Sequence, residues 1–305
     1  MAILLNEDFT LIVQGITGRE AVNLTKESLD FGSKIVGGVT PGRKGRDVHG
    51  VPVFDTVEQV VDSVGSVPDG SVVTVPPAFT KDAVMEAIEA GIGLIVVVTE
   101  RIPRRDVAQM VELANLRGSR IIGPNCLGVL APGIAKIGGI GGPAKDLAKS
   151  YTPGPVGIMS RSGGMTTEIA ATLTATGYGQ STALSIGGDA IIGSTYAELM
   201  PLFEEDEQTK AIVIYTEPGG RMEAELVDWR EEVGSRLPVV AFMAGRFMDD
   251  EEMQGMTFGH AGTIVEGTED TATEKIARLE GSGIPVVERI DQIPAAVAEA
   301  LGDGA

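Results

Sequence analysis

Residues 10–20 read TLIVQGITGRE, a short β-branched run that ends in a glycine-containing turn and leads into a helical segment. Such a strand–turn–helix unit can hold a phosphate group, because backbone N–H groups and the helix dipole point at the turn. The turn lacks the third glycine of the G-x-G-x-x-G fingerprint found in nicotinamide-binding domains. A tight turn without any ligand is the alternative interpretation.

The second predicted strand ends at Thr40-Pro41-Gly42-Arg43-Lys44. Nicotinamide-binding domains carry an acidic residue at the corresponding point, where it binds the ribose hydroxyls. Two cations in its place favour a ligand that bears an additional phosphate group. Solvated basic residues in a surface turn would give the same pattern.

The first 130 residues alternate between buried β-branched runs and amphipathic stretches, which is typical of parallel strands joined by helices. This pattern predicts a doubly wound α/β domain over residues 1–131. The predicted strands are Thr10–Val13, Lys34–Val39, Ser71–Val75, Leu94–Val98 and Arg120–Ile122, and the predicted helices are Val57–Val64, Lys81–Ala90 and Arg105–Leu116.

Glycine and proline are frequent between Pro132 and Pro155, so residues 132–155 are predicted to be a linker that includes an ordered loop. A second α/β alternation follows and predicts a flavodoxin-like domain over residues 156–305. Its predicted strands are Val156–Met159, Ser181–Ile186, Ala211–Tyr215, Pro238–Met243 and Pro285–Val287. Its predicted helices are Met165–Thr176, one that ends near Phe203, and Thr271–Gly281.

The composition limits the classes of partner. The 305 residues include 43 acidic and 24 basic side chains, which give a formal charge of −19. A field of this sign repels nucleic acids and anionic membranes, so neither is expected as the main partner. A small anion can still bind, because local donors act at short range and the overall field is screened within about 10 Å.

The sequence also indicates a cellular compartment. No stretch approaches the roughly 20 uninterrupted apolar residues of a membrane span. Residues 1–5 are followed directly by Asn6, Glu7 and Asp8, which is not the pattern of an export signal. The single cysteine, Cys126, cannot form an internal disulfide and has no thiol partner for a metal cluster. We therefore expect a cytoplasmic protein.

Only two histidines occur, His49 and His260. His49 lies in a polar turn before a short strand and is expected at the surface. His260 lies in the segment Thr257–Thr263 between two glycines, which allow backbone or a ligand to approach closely. As an isolated residue it is equally well explained as a structural histidine.

Two further glycine turns follow predicted strands of the second domain. Ser160-Arg161-Ser162-Gly163-Gly164 opens a helix and is suited to bind an anion. Glu217-Pro218-Gly219-Gly220 places a carboxylate at the carboxyl end of a strand, where it could orient an imidazole. Each turn taken singly could be a purely structural feature.

Six short motifs occur in a fixed order along the chain: Gln14–Gly18, Val36–Gly42, Thr99–Pro103, Ile122–Cys126, Ser160–Gly163 and Gly259–Gly262. In order, spacing and content they resemble the α subunit of the succinyl-CoA synthetase (succinate–CoA ligase) family, over nearly the whole chain. The resemblance implies a Rossmann-like CoA-binding domain followed by a flavodoxin-like ligase domain. It also implies an acid–thiol ligase that forms acyl-CoA from a carboxylate, CoA and a nucleoside triphosphate.

The resemblance assigns roles to individual residues. His260 would be phosphorylated, Glu217 would orient it, and Ser162, Gly163 and Gly164 would bind the phosphoryl group. The residues implied to bind CoA are Thr17, Gly18, Arg19, Glu20, Arg43, Val98, Thr99 and Glu100.

The resemblance also implies a partner, because the chain contains no G-x-x-x-x-G-K-[ST] segment. A β subunit with an ATP-grasp fold would bind ATP or GTP together with Mg²⁺.

Two segments depart from the succinate-specific members of the family. These usually have Thr-Leu-Thr-Tyr-Glu after the Ser-Gly of the phosphate loop, whereas this chain has Gly164-Met165-Thr166-Thr167-Glu168, with Thr167 near the expected acid substrate. The loop from Arg246 to Phe258 is longer and more acidic. The phosphate loop and Phe258 resemble the citryl-CoA synthetase and ATP-citrate lyase branch, which implies a bulkier acid as the alternative substrate.

Two alternatives belong to other functional classes. A noncatalytic CoA-binding regulatory protein would keep the fold and bind CoA without forming phosphohistidine. A nicotinamide dehydrogenase is disfavoured by the missing third glycine and by Arg43 and Lys44.

Overall fold

Two mostly parallel β-sheets organise the residues that the computed structural model describes, which are 2–249, 260–265 and 269–302. Each sheet has seven strands within that part of the chain, and helices pack on its faces. The predicted α/β class, with a Rossmann-like domain followed by a flavodoxin-like domain, is confirmed.

The first sheet has the strand order β3-β4-β2-β1-β5-β6-β7, and all neighbours except β3 and β4 are parallel. The chain order reverses at β1, which pairs with both β2 and β5. The strands are β1 (Thr10–Gln14), β2 (Lys34–Val39), β3 (Asp47–Val48), β4 (Val51–Phe54), β5 (Gly70–Val73), β6 (Leu94–Val97) and β7 (Arg120–Ile122), and the helices are α1 (Arg19–Phe31), α2 (Val57–Val64), α3 (Pro77–Glu89) and α4 (Arg104–Arg117).

The second sheet has the order β14-β13-β12-β10-β11-β8-β9, in which β8 and β9 are antiparallel to their neighbours. Its strands are β8 (Gly128–Ala131), β9 (Ala135–Gly138), β10 (Pro153–Ser160), β11 (Gln180–Ser185), β12 (Ala211–Thr216), β13 (Val239–Met243) and β14 (Val286–Val287). Its helices are α5 (Ala144–Ser150), α6 (Gly163–Ala175), α7 (Tyr196–Glu205), α8 (Met222–Val233), α9 (Ala272–Gly281) and α10 (Ile293–Leu301), with 3₁₀ turns at Arg246–Asp249, Ala261–Thr263 and Ile290–Gln292.

The central strands are buried on both faces, which explains their continuous β-branched composition. One hydrophobic cluster extends from Val13 and Ile122 in the first sheet to Met159 and Leu184 in the second. The two sheets therefore share part of one core.

The expected linker, residues 132–155, has regular structure. It contains β9 and α5, and β8 just before it joins β9 to the second sheet through antiparallel pairing with β11. Gly128 and Gly138 pair with each other, and both have positive φ angles. The two glycines therefore allow the backbones of β8 and β9 to approach closely. The second sheet therefore includes strands from Gly128 onward.

None of the helices in the described ranges combines the length and the apolar character that crossing a bilayer requires.

The close approach at Gly128 can be tested by substitution with alanine. Gly128 has φ 108°, and a Cβ there would collide with the carbonyl oxygen of Ile137. We expect Gly128→Ala to lower the free energy of unfolding by roughly 3 kcal/mol, from left-handed strain plus overpacking. Denaturant unfolding measures this loss.

Gly133 provides the control. It also has a positive φ, 78°, but a Cβ there would lie 3.6 Å from Pro153, an ordinary contact. Gly133→Ala should therefore cost only about 1–2 kcal/mol of left-handed strain. Equal losses in the two variants would contradict the collision at Gly128.

Candidate active site

The loops at the carboxyl edge of the second sheet converge where the chain order reverses. β10 lies between β11 and β12, and Ser160 at its end is level with Tyr215 of β12. The loops after these three strands begin at Arg161, Ile186 and Glu217. Ligands of open α/β sheets bind at such a switch point, so this edge is the candidate site of the second domain.

His260 and Glu217 contact each other directly at this edge. Nδ1 of His260 lies 2.8 Å from both carboxylate oxygens of Glu217. An ionised carboxylate only accepts hydrogen bonds, so the Nδ1 atom donates and carries the proton of the neutral ring. Nε2 then presents its lone pair as a nucleophile. The imidazole is 24% exposed, which leaves it accessible.

The environment of Glu217 keeps this carboxylate ionised. Glu217 is 7% exposed, and burial by itself raises the pKa of its carboxyl group. The hydrogen bond and charge of His260, the charge of Arg161 and the hydroxyl of Tyr215 overcome burial, so the pKa lies below its ordinary value. The carboxylate is therefore an acceptor throughout the neutral pH range.

A buried ion pair holds the main chain of Glu217. Nζ of Lys275 donates to the carbonyl oxygen of Glu217 at 3.0 Å and to Oε2 of Glu223 at 2.6 Å. The hydroxyl of Thr216 donates to the second oxygen of Glu223. Burial lowers the pKa of Lys275 although Glu223 opposes this shift. The loop after β12 is thus anchored by charges that water cannot reach.

Glycines allow the loops to approach the histidine. The ring of His260 lies against Gly188, where a Cβ would occupy the space of the imidazole. The N–H of Gly262 donates to the carbonyl oxygen of Gly188 at 3.0 Å. A side chain on either glycine would displace His260 or the guanidinium group of Arg161, which lies against Gly262.

Arg161 places a buried cation beside this pair. It is 2% exposed, and its Nη2 atom donates to the carbonyl oxygens of Gly188 and Asp189 at 3.4 and 3.3 Å. Its Nε and Nη1 atoms have no hydrogen-bond partner within the described ranges. The site therefore carries a positive charge with unused donors.

The phosphate-loop residues predicted from the sequence form the N-terminus of α6. The side chain of Ser162 caps the helix by accepting the N–H of Met165 at 3.4 Å, and the N–H of Ser162 donates to the Ser160 hydroxyl. Gly163 and Gly164 are the first two residues of the helix, whose N–H groups have no intrahelical acceptor. These donors and the helix dipole suit a phosphoryl group.

The predicted acid-site residue Thr167 lies one turn further along α6. Its hydroxyl is 3.0 Å from the hydroxyl of Tyr151. It is not among the described residues that line the cavity of about 850 Å³ beside Ala261 and Gly262. Phe258 and the loop from residue 250 to residue 259 lie outside the described residues.

A cavity of about 760 Å³ lies at the switch point of the first sheet, between the ends of β1, β2 and β5. The predicted residues Thr17, Gly18, Arg19 and Glu20 line it. Gly18 is the N-cap of α1 and offers no side-chain cap, so the first N–H groups of the helix are available to a phosphate. The remaining lining residues are Gln14, Gly15, Ala21, Val39, Thr40, Pro41, Thr74, Val75, Pro76, Phe79, Asp82, Ala83 and Glu86.

The other predicted CoA residues lie outside that lining. The amide of Arg43 donates to Asp55, and its exposed turn follows Pro41, which lines the cavity. The amide of Val98 donates to Val73 in the neighbouring strand.

Thr99 and Glu100 lie between the two candidate sites. The hydroxyl of Thr99 donates at 2.7 Å to the carbonyl oxygen of Val75, which lines the 760 Å³ cavity. Glu100 lines a third, smaller cavity of about 200 Å³ together with Asn125, Asp189 and Ala261, the residue after His260. This segment of the first domain therefore reaches the histidine loop.

Sequence reasoning missed several residues of these sites. Tyr215, Glu223 and Lys275 have the pattern of ordinary strand and helix positions, and only their distance from Glu217 reveals a role. Phe79 lines the 760 Å³ cavity although it is 62% exposed.

Two family models match the chain. Residues 6–101 match the CoA binding domain, and residues 153–300 match the succinyl-CoA ligase like flavodoxin domain.

Curated relatives match over nearly the full length. The succinate–CoA ligase [ADP-forming] subunit alpha 1 of Archaeoglobus fulgidus is 43% identical over 292 residues, 95% of either chain. The α subunit of the same name from Aquifex aeolicus is 40% identical over 303 residues, which are 99% of this chain and 95% of that protein.

A solved structure has a similar fold. ATP citrate lyase from Methanosaeta concilii, in complex with (3S)-citryl-CoA, superposes with a TM-score of 0.90 at 23% identity and covers 99% of this chain. The chain spans about half of that enzyme, 51%. At this identity the likeness shows the fold.

The buried pair beneath the site can be tested by removing its cation. Lys275→Met leaves the Glu223 carboxylate buried without a counter-charge, so we expect the free energy of unfolding to fall by about 3–5 kcal/mol. The double variant Lys275→Met/Glu223→Leu removes both charges and should recover most of that loss. Urea unfolding of both variants measures the difference.

Lys149→Met is the control, because Lys149 and Asp146 form an ion pair at 2.6 Å with both side chains well exposed. Its removal should leave the free energy of unfolding nearly unchanged. A double variant as unstable as Lys275→Met would refute the view that an unpaired charge causes the loss.

Proposed function

The chain belongs to the succinate–CoA ligase α-subunit family of acid–thiol ligases, and we propose that it forms succinyl-CoA through a phosphorylated His260. The contact between Nδ1 of His260 and the Glu217 carboxylate carries this proposal. It leaves Nε2 as the nucleophile and holds it at the edge of the sheet where α6 begins. A cytoplasmic location is part of the proposal.

The first step is phosphorylation of His260. Nε2 attacks the γ-phosphorus of ATP or GTP, and the nucleoside diphosphate leaves. The partner is an ATP-grasp β subunit that binds this nucleotide with Mg²⁺. The ring becomes positively charged while Nδ1 keeps its proton, and the Glu217 carboxylate stabilises that charge at 2.8 Å.

The next steps transfer the phosphoryl group and then the acyl group. A carboxylate oxygen of the acid attacks phosphorus, the P–N bond breaks, and an acyl phosphate forms beside a neutral His260. The sulfur of CoA, as the thiolate, then attacks the acyl carbon, and phosphate leaves as the thioester forms. The free N–H groups of Gly163 and Gly164, with Arg161, stabilise the phosphate oxygens.

CoA is proposed to bind in the 760 Å³ cavity of the first domain. The uncapped start of α1 suits its phosphates, and Val75, Phe79 and Ala83 form apolar walls. Thr99 and Glu100 lie between this cavity and Ala261, which supports a path for the thiol towards the histidine.

A tricarboxylic acid is the second candidate substrate. The segment Gly164–Glu168 lacks the tyrosine usual in succinate-specific members, and the hydroxyl of Thr167 pairs with Tyr151. Thioester formation with succinate and with citrate, using the cognate β subunit, separates the two candidates. Turnover of citrate alone would replace succinate in the proposal.

Labelling with γ-³²P-ATP in the presence of the β subunit tests the phosphohistidine. We expect acid-labile label on the wild-type chain and its complete loss in His260→Asn, because the nucleophilic atom is removed. His49→Asn is the matched control, since His49 is exposed in the turn between β3 and β4, and should label like wild type.

Persistent acid-labile label in His260→Asn would reject His260 as the nucleophile. CoA binding without any label on the wild-type chain would instead favour the noncatalytic CoA-binding class.

Arg19→Ala tests the CoA cavity. Arg19 is the first residue of α1 and lines the cavity, so we expect the Kd for CoA to rise by roughly threefold to tenfold, about 0.7–1.4 kcal/mol. Isothermal titration calorimetry measures the change. Arg117→Ala, at the exposed last turn of α4 on the opposite edge of the sheet, is the control. Tight NADH binding by the wild-type chain would contradict the assignment of the cavity.

A further inference from the structure

A buried tyrosine contacts the carboxylate that orients His260. Tyr215 is 7% exposed, and its hydroxyl donates to Oε1 of Glu217 at 3.0 Å. Side chains two residues apart on an extended strand lie on the same face. Tyr215 near the end of β12 is therefore placed to reach Glu217, which follows the strand.

The ring of Tyr215 is held by its neighbours before any substrate arrives. Tyr215 pairs in register with Phe242 of the neighbouring strand β13. The centroids of the two rings are 5.8 Å apart, and the ring planes are tilted by 46°. The main-chain carbonyl of Tyr215 accepts the hydroxyl of Tyr196 at 2.7 Å. The direction of the Tyr215 hydroxyl is thus fixed by packing.

The hydroxyl is a permanent donor. Burial raises the pKa of Tyr215 above its ordinary value, and the neighbouring Glu217 carboxylate raises it further. The phenol therefore keeps its proton around neutral pH and donates it to the carboxylate.

We propose that Tyr215 is a positioning residue, whose hydroxyl fixes the Glu217 carboxylate and limits how strongly that carboxylate attracts the proton of His260. The inference rests on the proposed function, in which Nε2 of neutral His260 is the nucleophile. Tyr215 acts through Glu217 and does not itself touch the reacting atoms.

The physical reason is the sharing of one negative charge among several donors. Both oxygens of Glu217 accept from Nδ1, and Oε1 also accepts from Tyr215. Without the hydroxyl, more of the charge acts on His260, which favours the imidazolium form. A larger protonated fraction leaves less neutral imidazole to attack phosphorus.

Other groups around Glu217 remain in place when the hydroxyl is removed. Arg161 acts on its carboxylate, and Tyr196 lies within electrostatic range. Lys275, paired with Glu223, holds its carbonyl oxygen. A change in the titration of His260 on loss of the hydroxyl therefore reports on Tyr215.

Nitrogen NMR of the full chain labelled with ¹⁵N-histidine tests the inference directly. The chain has only two histidines, and the exposed His49 serves as an internal reference. Tyr215→Phe keeps the ring and removes the hydroxyl, so we expect the pKa of His260 to rise by roughly 0.5–1 unit. An unchanged titration of His260 would overturn the inference.

Two further variants separate positioning from a general effect on the fold. In a Glu217→Gln background the carboxylate charge is gone, so Tyr215→Phe should produce no additional shift of His260. Tyr178→Phe removes a tyrosine hydroxyl near the opposite edge of the sheet, where β11 begins, and should leave His260 unchanged. An equal shift in Tyr178→Phe, or the full shift in the Glu217→Gln background, would refute the proposed path.

Phosphorylation with the β subunit and ATP gives a second readout. The acidic limb of the pH profile for Tyr215→Phe should move upward by the shift seen in NMR, so the rate at any pH on that limb falls about threefold to tenfold. The Kd for CoA, measured by calorimetry, should stay constant, because the CoA cavity is untouched. A uniform loss of rate at every pH would indicate a structural role and overturn the inference.

The two readouts keep this inference distinct from the proposed function. A shifted titration in a chain that never labels would reject the phosphohistidine but uphold the contact through Glu217. Normal labelling without a shifted titration would reject the role of Tyr215 and uphold the proposed function.

Discussion

The hydrogen bond between Nδ1 of His260 and the carboxylate of Glu217 is the contact on which the arrangement of the second domain depends. It brings a residue far along the chain to the end of β12, and it needs close approach by loops from β10 and β11. Gly188 and Gly262 allow that approach because any Cβ there would meet His260 or Arg161. The glycines around the histidine therefore serve the geometry of one imidazole.

The contact also requires an unusual distribution of charge. The chain has a formal charge of −19, yet Arg161 and Lys275 are buried beside and beneath Glu217. A buried cation costs several kcal/mol unless acceptors surround it. Lys275 finds Glu223 and two carbonyl oxygens, whereas Arg161 keeps two unused nitrogens in the described structure. The net negative charge of the protein therefore repels anions at long range, whereas the buried guanidinium group of Arg161 attracts an anion at short range.

Much of the fold could be predicted from the sequence, because buried parallel strands have a continuous apolar pattern. β2 and β7 match their predicted bounds, and the histidine and its carboxylate were both identified as candidates. β8 and β9 were not predicted because glycine-rich segments resemble linkers. The glycines Gly128 and Gly138 are instead required by the close contact between the two strand backbones. The sequence does not distinguish Tyr215 from an ordinary core residue. Its hydroxyl can donate to Glu217 only because of the path that the chain takes after β12, and that path is not evident from the sequence.

The two candidate sites lie in different domains, and the shared core limits how they can communicate. Val13 and Ile122 belong to the same hydrophobic cluster as Met159 and Leu184, so a large rotation of one domain would expose apolar surface. Relative domain motion is expected where the contact between domains is polar, whereas this contact includes a shared apolar cluster. The two sites approach each other at one small cavity, which Glu100 and Ala261 both line. A ligand with a long flexible arm, bound through its phosphates at the start of α1, would suit this arrangement. Such an arm can span the distance between the two sites without movement of either domain.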